Sequence, residues 1–349
     1  MSNQPRGAHL VGSVPLGSAE EVFRTMSDVL GQHLRRIPDG ETGDRFQWAG
    51  WQGFAFREVP QFELVPPAPG QFPPIPRFKV RPGADLAEAR FGNLGYADEA
   101  VNSFALFDEL QSNGVIPQHI RFQVSLPTPL APVSMFVVDD EQAAIEPVYT
   151  RAMRNEVNQI LSAIPHDRLA IQWDTCVEVW MIEQWIPTPF ENIRDGIVER
   201  LRTLGSWIPE AVPNGFHLCY GDYGHVHLRE PIDSANVVDL ANGITAQAVR
   251  PVNWIHIPVP IERTDDAYFE PFQNLSLREE TELYLGLVHF RDGIEGAELR
   301  AKTALKHVPA FGVATECGMG RRPPERGGAP DTLRELLEIH AAVSQPVVD

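Results

Sequence analysis

Cysteine is scarce in this chain: three residues, Cys176, Cys219 and Cys317, in 349. An odd number in so long a chain argues against a disulfide framework and for free or metal-bound thiols. Positive charge is also short, with 29 Lys and Arg against 47 Asp and Glu and a net charge of −18. That field repels phosphate backbones and anionic membranes, which excludes nucleic acid as an expected partner. No apolar run approaches the roughly 20 residues a membrane helix needs, and the polar opening Met1-Ser2-Asn3-Gln4-Pro5 lacks a signal-peptide core, so the expectation is a cytoplasmic protein. No G-x-G-x-x-G stands between an early strand and helix, which removes support for a dinucleotide site.

What is present alternates. Ala8 to Ser13 reads as a short buried strand, and Ser18 with Glu21 makes a capping box for a helix with Val22, Met26, Val29 and Leu30 on one face. A second strand, His33 to Pro38, runs into the polar cluster Asp39 to Arg45, which carries more charge than a turn requires. Periodicity then breaks from Phe46 to Pro82, where Trp48, Trp51, Phe54 and Phe56 precede a proline-dense stretch. This reads as an ordered insertion, its aromatics either lining a pocket or packing onto the main body.

Beyond it a helix near Ala97 to Leu110 leads to the strand Ile120 to Ser125, and a helix from about Glu141 to Ala163 leads to the strand Leu169 to Asp174. Phe190 to Trp207 is helical, Phe216 to Tyr220 a strand, Ser234 to Gln247 a weak helix and Asn253 to Ile257 a strand. The strand Leu283 to Val288, the helix Ile294 to Lys306, the strand Phe311 to Ala314 and a helix from Thr332 to Val343 close the series. Eight β-then-α units predict an α/β fold, a single (β/α)8 TIM barrel over residues 1–349, with residues 46–96 as an insertion after the second strand that covers the barrel mouth.

In such a barrel the C-terminal ends of the strands build the active site. Here those ends are crowded with chemistry. The first carries Ser13, the second Asp39 and Glu41, the fourth Asp174, Cys176 and Glu178, the fifth His217 and Cys219, the sixth His256, the seventh His289 and Asp292, and the eighth Glu316 and Cys317. His217 and Cys219 are two apart, so on a strand they point to the same side and can grip one metal ion. An imidazole beside a thiolate suits zinc, and Cys317 would add a third ligand. The competing reading is a buried cysteine beside a hydrogen-bonded core histidine. His225 and His227 could be metal ligands, but with His217 and Cys219 already nearby they are expected to bind substrate or shuttle protons; Arg321 and Arg322 are expected to recognise a carboxylate or phosphate or to pair with acidic surface.

The set Val11-Gly12-Ser13, Ile171-Gln172-Trp173-Asp174, His217-Leu218-Cys219 and Glu316-Cys317-Gly318 resembles the catalytic barrel of cobalamin-independent methionine synthase, in strand order over most of the chain. The resemblance implies Zn2+ held by His217, Cys219 and Cys317, with Ser13 and Asp174 near an amino-acid substrate. At the sixth strand end, where the family has a glutamate ligand, this chain reads Ile255-His256-Ile257-Pro258, leaving His256 or Glu262 for a fourth ligand. The folate-stacking tryptophan is missing from Ser125-Leu126-Pro127-Thr128-Pro129-Leu130. At this length one barrel is expected, without the family's additional N-terminal one.

The leading expectation is therefore a zinc-dependent transferase that moves an alkyl or methyl group to a zinc-activated thiol. A second is a zinc-dependent lyase or hydrolase acting on an aromatic small molecule; a third is a non-catalytic binding barrel with structural zinc. Asp174, Glu178, His289 and Asp292 are the expected catalytic residues. Ser13, Asp39, Glu41, Arg45, His227, Glu316 and Arg321 are the expected substrate contacts. The expected partners are a small-molecule substrate and at most a second copy of the chain in a homodimer.

Overall fold

Alternation of buried strands and amphipathic helices closes here into one parallel sheet. The structure, a computed structural model, describes residues 4–67, 75–188, 191–222, 224–323 and 328–348. Its strands are β1 (Ala8–His9), β2 (Arg36–Pro38), β3 (Phe62–Val65), β4 (Arg77–Val80), β5 (Arg121–Pro127), β6 (Leu169–Thr175), β7 (Asn214–Leu218), β8 (Trp254–Pro258), β9 (Glu282–Gly286) and β10 (Gly312–Ala314). Eight of them run in the order β1-β10-β9-β8-β7-β6-β5-β2, all parallel, and a single bridge between Ala8 and Leu34 brings the two edges together. This is an eight-stranded, nearly closed (β/α)8 barrel, the fold the alternation predicts.

Several strands end elsewhere than periodicity suggests: β2 covers only Arg36–Pro38, while β5 runs on to Pro127 and β6 to Thr175. β1 stops at His9 and β7 at Leu218, so Cys219 sits just past its strand. Inside the barrel, Gln172 and Asp174 alternate on one face of β6 and make a polar column. Gln172 Nε2 donates to Val11 O at 2.6 Å and to Asp174 Oδ1 at 2.9 Å, while its Oε1 meets His9 Nε2 at 2.7 Å. Below it the Arg36 guanidinium lies 3.8 Å from the Trp254 ring centroid and pairs with Glu282 at 3.0 Å.

The first helix, Ala19–Leu30, starts where expected: Ser18 Oγ accepts from Glu21 N at 3.3 Å, and Val22, Phe23, Met26 and Leu30 are buried. The capping is half of the box, since the Glu21 carboxylate takes the amide of Gly17, at 2.9 Å, instead of that of Ser18. No helix among the described residues is long and apolar enough to cross a membrane.

The segment after β2 has structure of its own. A kinked 3-10 stretch, Gly43–Gln52, runs into the helix Gly53–Arg57, and β3 and β4 pair as an antiparallel hairpin that periodicity did not reveal. Residues 68–74, the middle of the proline-dense stretch, lie outside the described residues. Phe56 stacks on Tyr149 at 5.4 Å and meets Phe62, Phe78, Phe91 and Phe136, so these rings bind the insertion to the flank of the barrel. Two others reach the mouth. The Phe46 carbonyl takes a hydrogen bond from Arg321, and Trp48, in a left-handed conformation at φ 55°, donates its indole N–H to Asp174 Oδ2 at 3.2 Å.

Candidate metal centre and polar pocket

Barrel register sets Asp174, His217 and His256 side by side on β6, β7 and β8. All three side chains are buried. His256 Nε2 lies 3.0 Å from the Thr315 carbonyl, which can only accept, so Nε2 carries the proton and Nδ1 is bare. Burial holds the His256 pKa down at about 3, so the ring is neutral. Its bare Nδ1 lies 2.7 Å from His217 Nδ1, which must therefore be the protonated nitrogen. Burial, with help from His256 and Arg321, keeps His217 neutral as well. The far nitrogen, His217 Nε2, is thus a lone pair, buried and without a hydrogen-bond partner among the described residues.

That lone pair has two sulfurs for company: His217, Cys219 and Cys317 each offer a ligand atom within 4.8 Å of the others. The Cys219 and Cys317 sulfurs are 3.7 Å apart, and Gly221 N donates to Cys219 Sγ at 3.3 Å. Gly221 sits at φ +84°, where a Cβ would come within 2.5 Å of Trp180, so glycine is needed to aim that amide at the sulfur. Gly286 has a similar task, since a Cβ there would lie 2.6 Å from Glu316 Cα and 2.9 Å from His256 Nε2. Hydrogen bonding with Cys176, together with burial, pushes the Cys219 thiol well above its usual range, and hydrogen bonding with Cys219, together with burial, does the same to Cys317. Cys176, on the first turn of the helix Cys176–Ile182, is buried close enough to Cys219 to act on its titration.

These donors fit Zn2+: two soft sulfurs, one neutral imidazole with its lone pair already exposed, and an outer partner fixing the tautomer. Neither residue expected as a fourth ligand is available. Both His256 nitrogens are engaged, so it orients His217 from behind, and Glu262 is exposed and paired with Arg291.

A buried polar cluster adjoins these donors, with the Arg321 charge acting on both His217 and Cys317. Arg45 pairs with Asp39 at 2.8 Å, Ser103 Oγ donates to Asp39 at 2.8 Å, and Arg321 pairs with Glu41 at 3.1 Å. Burial raises the pKa of Glu41 despite Arg321 and Arg45, and burial together with the Glu41 charge raises that of Asp174 well above the ordinary range. Ser13 Oγ is buried with no partner among the described residues. Ser13, Asp39, Glu41, Arg45, Asp174 and Arg321 thus come together. Sequence reasoning overlooked Gln172 and Trp48, the two donors that hold the Asp174 carboxylate. Gln172 was legible as the inward neighbour two residues before Asp174; Trp48 had no signal beyond a segment rich in aromatics.

Glu316 is gripped by His225 at 3.3 Å and His227 at 3.2 Å, with His289 at 3.7 Å. Burial pushes the His227 pKa down, but Glu230 and Glu316 outweigh it and raise it to about 10. Asp292 stands apart from this chemistry. It forms a two-point pair with buried Arg300, at 2.7 and 2.8 Å, and that guanidinium also holds the Leu287 and Ile261 carbonyls. Its geometry is that of a brace between loops.

Glu178 is turned inward by its short helix, is fully buried, and has no hydrogen-bond partner for either oxygen among the described residues. Burial raises its pKa from 4.5 to about 7. A carboxyl raised in the folded state binds its proton more tightly there, so its contribution is favourable at low pH and is lost as pH rises from about 4.5 through 7. Glu178→Gln should therefore stabilise the protein by about 3 kcal/mol at pH 8 and leave it nearly unchanged at pH 4. Urea unfolding at both pH values reads this; equal effects at both would overturn it.

No family model matches the chain, and no curated protein matches it. Solved structures do. A B12-independent methionine synthase from Shewanella sp. W3-18-1, in complex with selenomethionine, superposes with a TM-score of 0.61 at 13% identity, covering 97% of this chain and 96% of that one. A methyltransferase from Methanosarcina mazei superposes with a TM-score of 0.52 at 13% identity, covering 98% and 94%. At these identities the likeness is one of fold, and this chain is built on the same barrel as those two proteins over nearly its whole length.

Proposed function

We propose that the protein is a zinc-dependent enzyme that transfers an alkyl or methyl group to a thiol. The observation that carries this reading is the bare His217 Nε2, held within 4.8 Å of the Cys219 and Cys317 sulfurs by a relay that leaves it no other partner. Bound there, zinc supplies the Lewis acidity that lets a substrate thiol ionise near neutral pH. The chain's own residues do the rest. Asp174, held toward the protonated form by burial and the Glu41 charge, gains an incoming cationic group as its counter-charge and ionises with it. Ser13 Oγ supplies a donor, and Trp48 with Gln172 keeps Asp174 in place. The two structural neighbours, a methionine synthase and a methyltransferase, are enzymes of this class.

Lyase or hydrolase chemistry on an aromatic molecule is the second reading, favoured by Trp48 at the mouth. Protein purified without added zinc should carry one thiolate-bound zinc per chain and alkylate a small thiol from a panel of methyl donors. Zinc-loaded protein that alkylates no thiol but cleaves an aromatic substrate would replace the first reading with the second. Calorimetric titration with methyltetrahydrofolate should show no binding, because residues 125–130 offer no ring to stack on the pterin. Tight binding would make methionine synthesis itself the activity.

A further inference from the structure

A second group of ligand-type side chains stands next to the thiolates, and the transfer reaction does not use it. His225, His289 and Glu316 each offer a ligand atom within 4.8 Å of the others, and Glu316 directly precedes Cys317. His289 is fully buried, and its Nε2 lies 2.9 Å from the Val259 carbonyl, so that nitrogen carries the proton and Nδ1 is bare. Burial, with the charges of Arg300 and Arg322, keeps the ring neutral. Nδ1 has no hydrogen-bond partner among the described residues and faces Glu316 Oε1 at 3.7 Å. Two acceptors thus face each other with no proton between them, at a distance too long for a hydrogen bond. A cation between them removes that mismatch. The pattern repeats the thiolate site: a carbonyl fixes the outer nitrogen and leaves the inner lone pair exposed.

We propose that His225, His289 and Glu316 form a second metal site, distinct from the thiolate site, for a first-row divalent cation. Two imidazoles and a carboxylate suit Zn2+, Mn2+, Fe2+ or Co2+ and are a poor home for a thiophilic ion such as Cu+. Asp222, buried and 3.2 Å from His225 Nδ1, steadies that ring and adds negative charge. Arg322 opposes the cation. It is buried, its side-chain nitrogens have no hydrogen-bond partner among the described residues, and its charge acts on both Glu316 and His289. The second site is accordingly the weaker and fills after the first.

Cobalt(II) titration of the full chain, stripped of metal by chelator, tests this with a readout independent of turnover. Wild type should take up two equivalents, the first bringing the intense thiolate-to-cobalt absorption and the second only weak ligand-field bands. His289→Ala and the shape-preserving Glu316→Gln should each lose the second equivalent and keep the thiolate band. Cys219→Ser should lose the band and keep one equivalent. Wild type saturating at a single equivalent that carries the thiolate band, or both variants still binding two, would overturn the second site. Loss of all thiolate absorption in wild type, with one equivalent abolished by His289→Ala, would support this site while removing the thiolate site on which the proposed transfer rests.

Discussion

Cys219→Ser will leave the protein folded, without zinc at the thiolate site and inactive. The serine hydroxyl is a hard donor that stays protonated near neutral pH, whereas Cys219 offers a sulfur 3.7 Å from Cys317 and already holds the Gly221 amide. Losing one of three ligands leaves an imidazole and a single thiolate, too few to hold zinc against a chelator. We expect occupancy of the thiolate site below about a tenth of wild type and a fall in kcat/KM of about a thousandfold or more, since a metal-supplied thiolate carries several kcal/mol of the barrier. Elemental analysis and circular dichroism on one preparation separate metal loss from misfolding. Full zinc with full activity would end both the site and the proposed reaction. In the wild type, two thiols held above their usual range must both lose protons to bind metal. Zinc affinity should therefore climb by up to about a hundredfold per pH unit in the acid range, and a slope of zero would contradict a two-thiolate site.

His256→Ala should weaken zinc about 10- to 100-fold while leaving every ligand in place, the range seen when an outer partner of a metal-bound histidine is removed. His256 accepts from His217 Nδ1 at 2.7 Å and hands its own proton to Thr315 at 3.0 Å, which is what leaves His217 Nε2 bare. Without that acceptor the imidazole is free to rotate or to place its proton on the ligating nitrogen. Competition against a chromophoric chelator measures the loss, and saturating zinc should restore most of the activity. If affinity stays at the wild-type level, His256 is core packing and the relay has no bearing on the metal. His256→Asn, which keeps an acceptor on a shorter arm, should fall between the two.

Local pattern carried a large part of this molecule. Ser18 and the apolar spacing after it predicted the helix Ala19–Leu30, and the spacing of His217 and Cys219 put both on one side of a strand end, because capping and side-chain alternation depend on near neighbours. The hairpin of β3 and β4 escaped notice because its residues alternate weakly and its stability comes from rings elsewhere, Phe56 and Phe136 among them. Position alone gives Asp292 and Glu178 to the barrel mouth. A buried arginine eight residues on claims the first, and a short helix turns the second into the core.

By itself the sequence determined the alternation that closes a barrel and the chemical types at its strand ends, since both follow from periods of two and 3.6 residues and from turn chemistry. Tertiary structure alone decided which atoms are free to act. The lone pair on His217 exists because a carbonyl 59 residues from His256 accepts that ring's proton, and Glu41 meets Arg321 from 280 residues away. Tautomers and ion pairs depend on where barrel closure sets carbonyls and guanidinium groups. A side chain's list of possible roles is written in its type, but the one left open to it depends on which hydrogen bonds its distant neighbours have already taken.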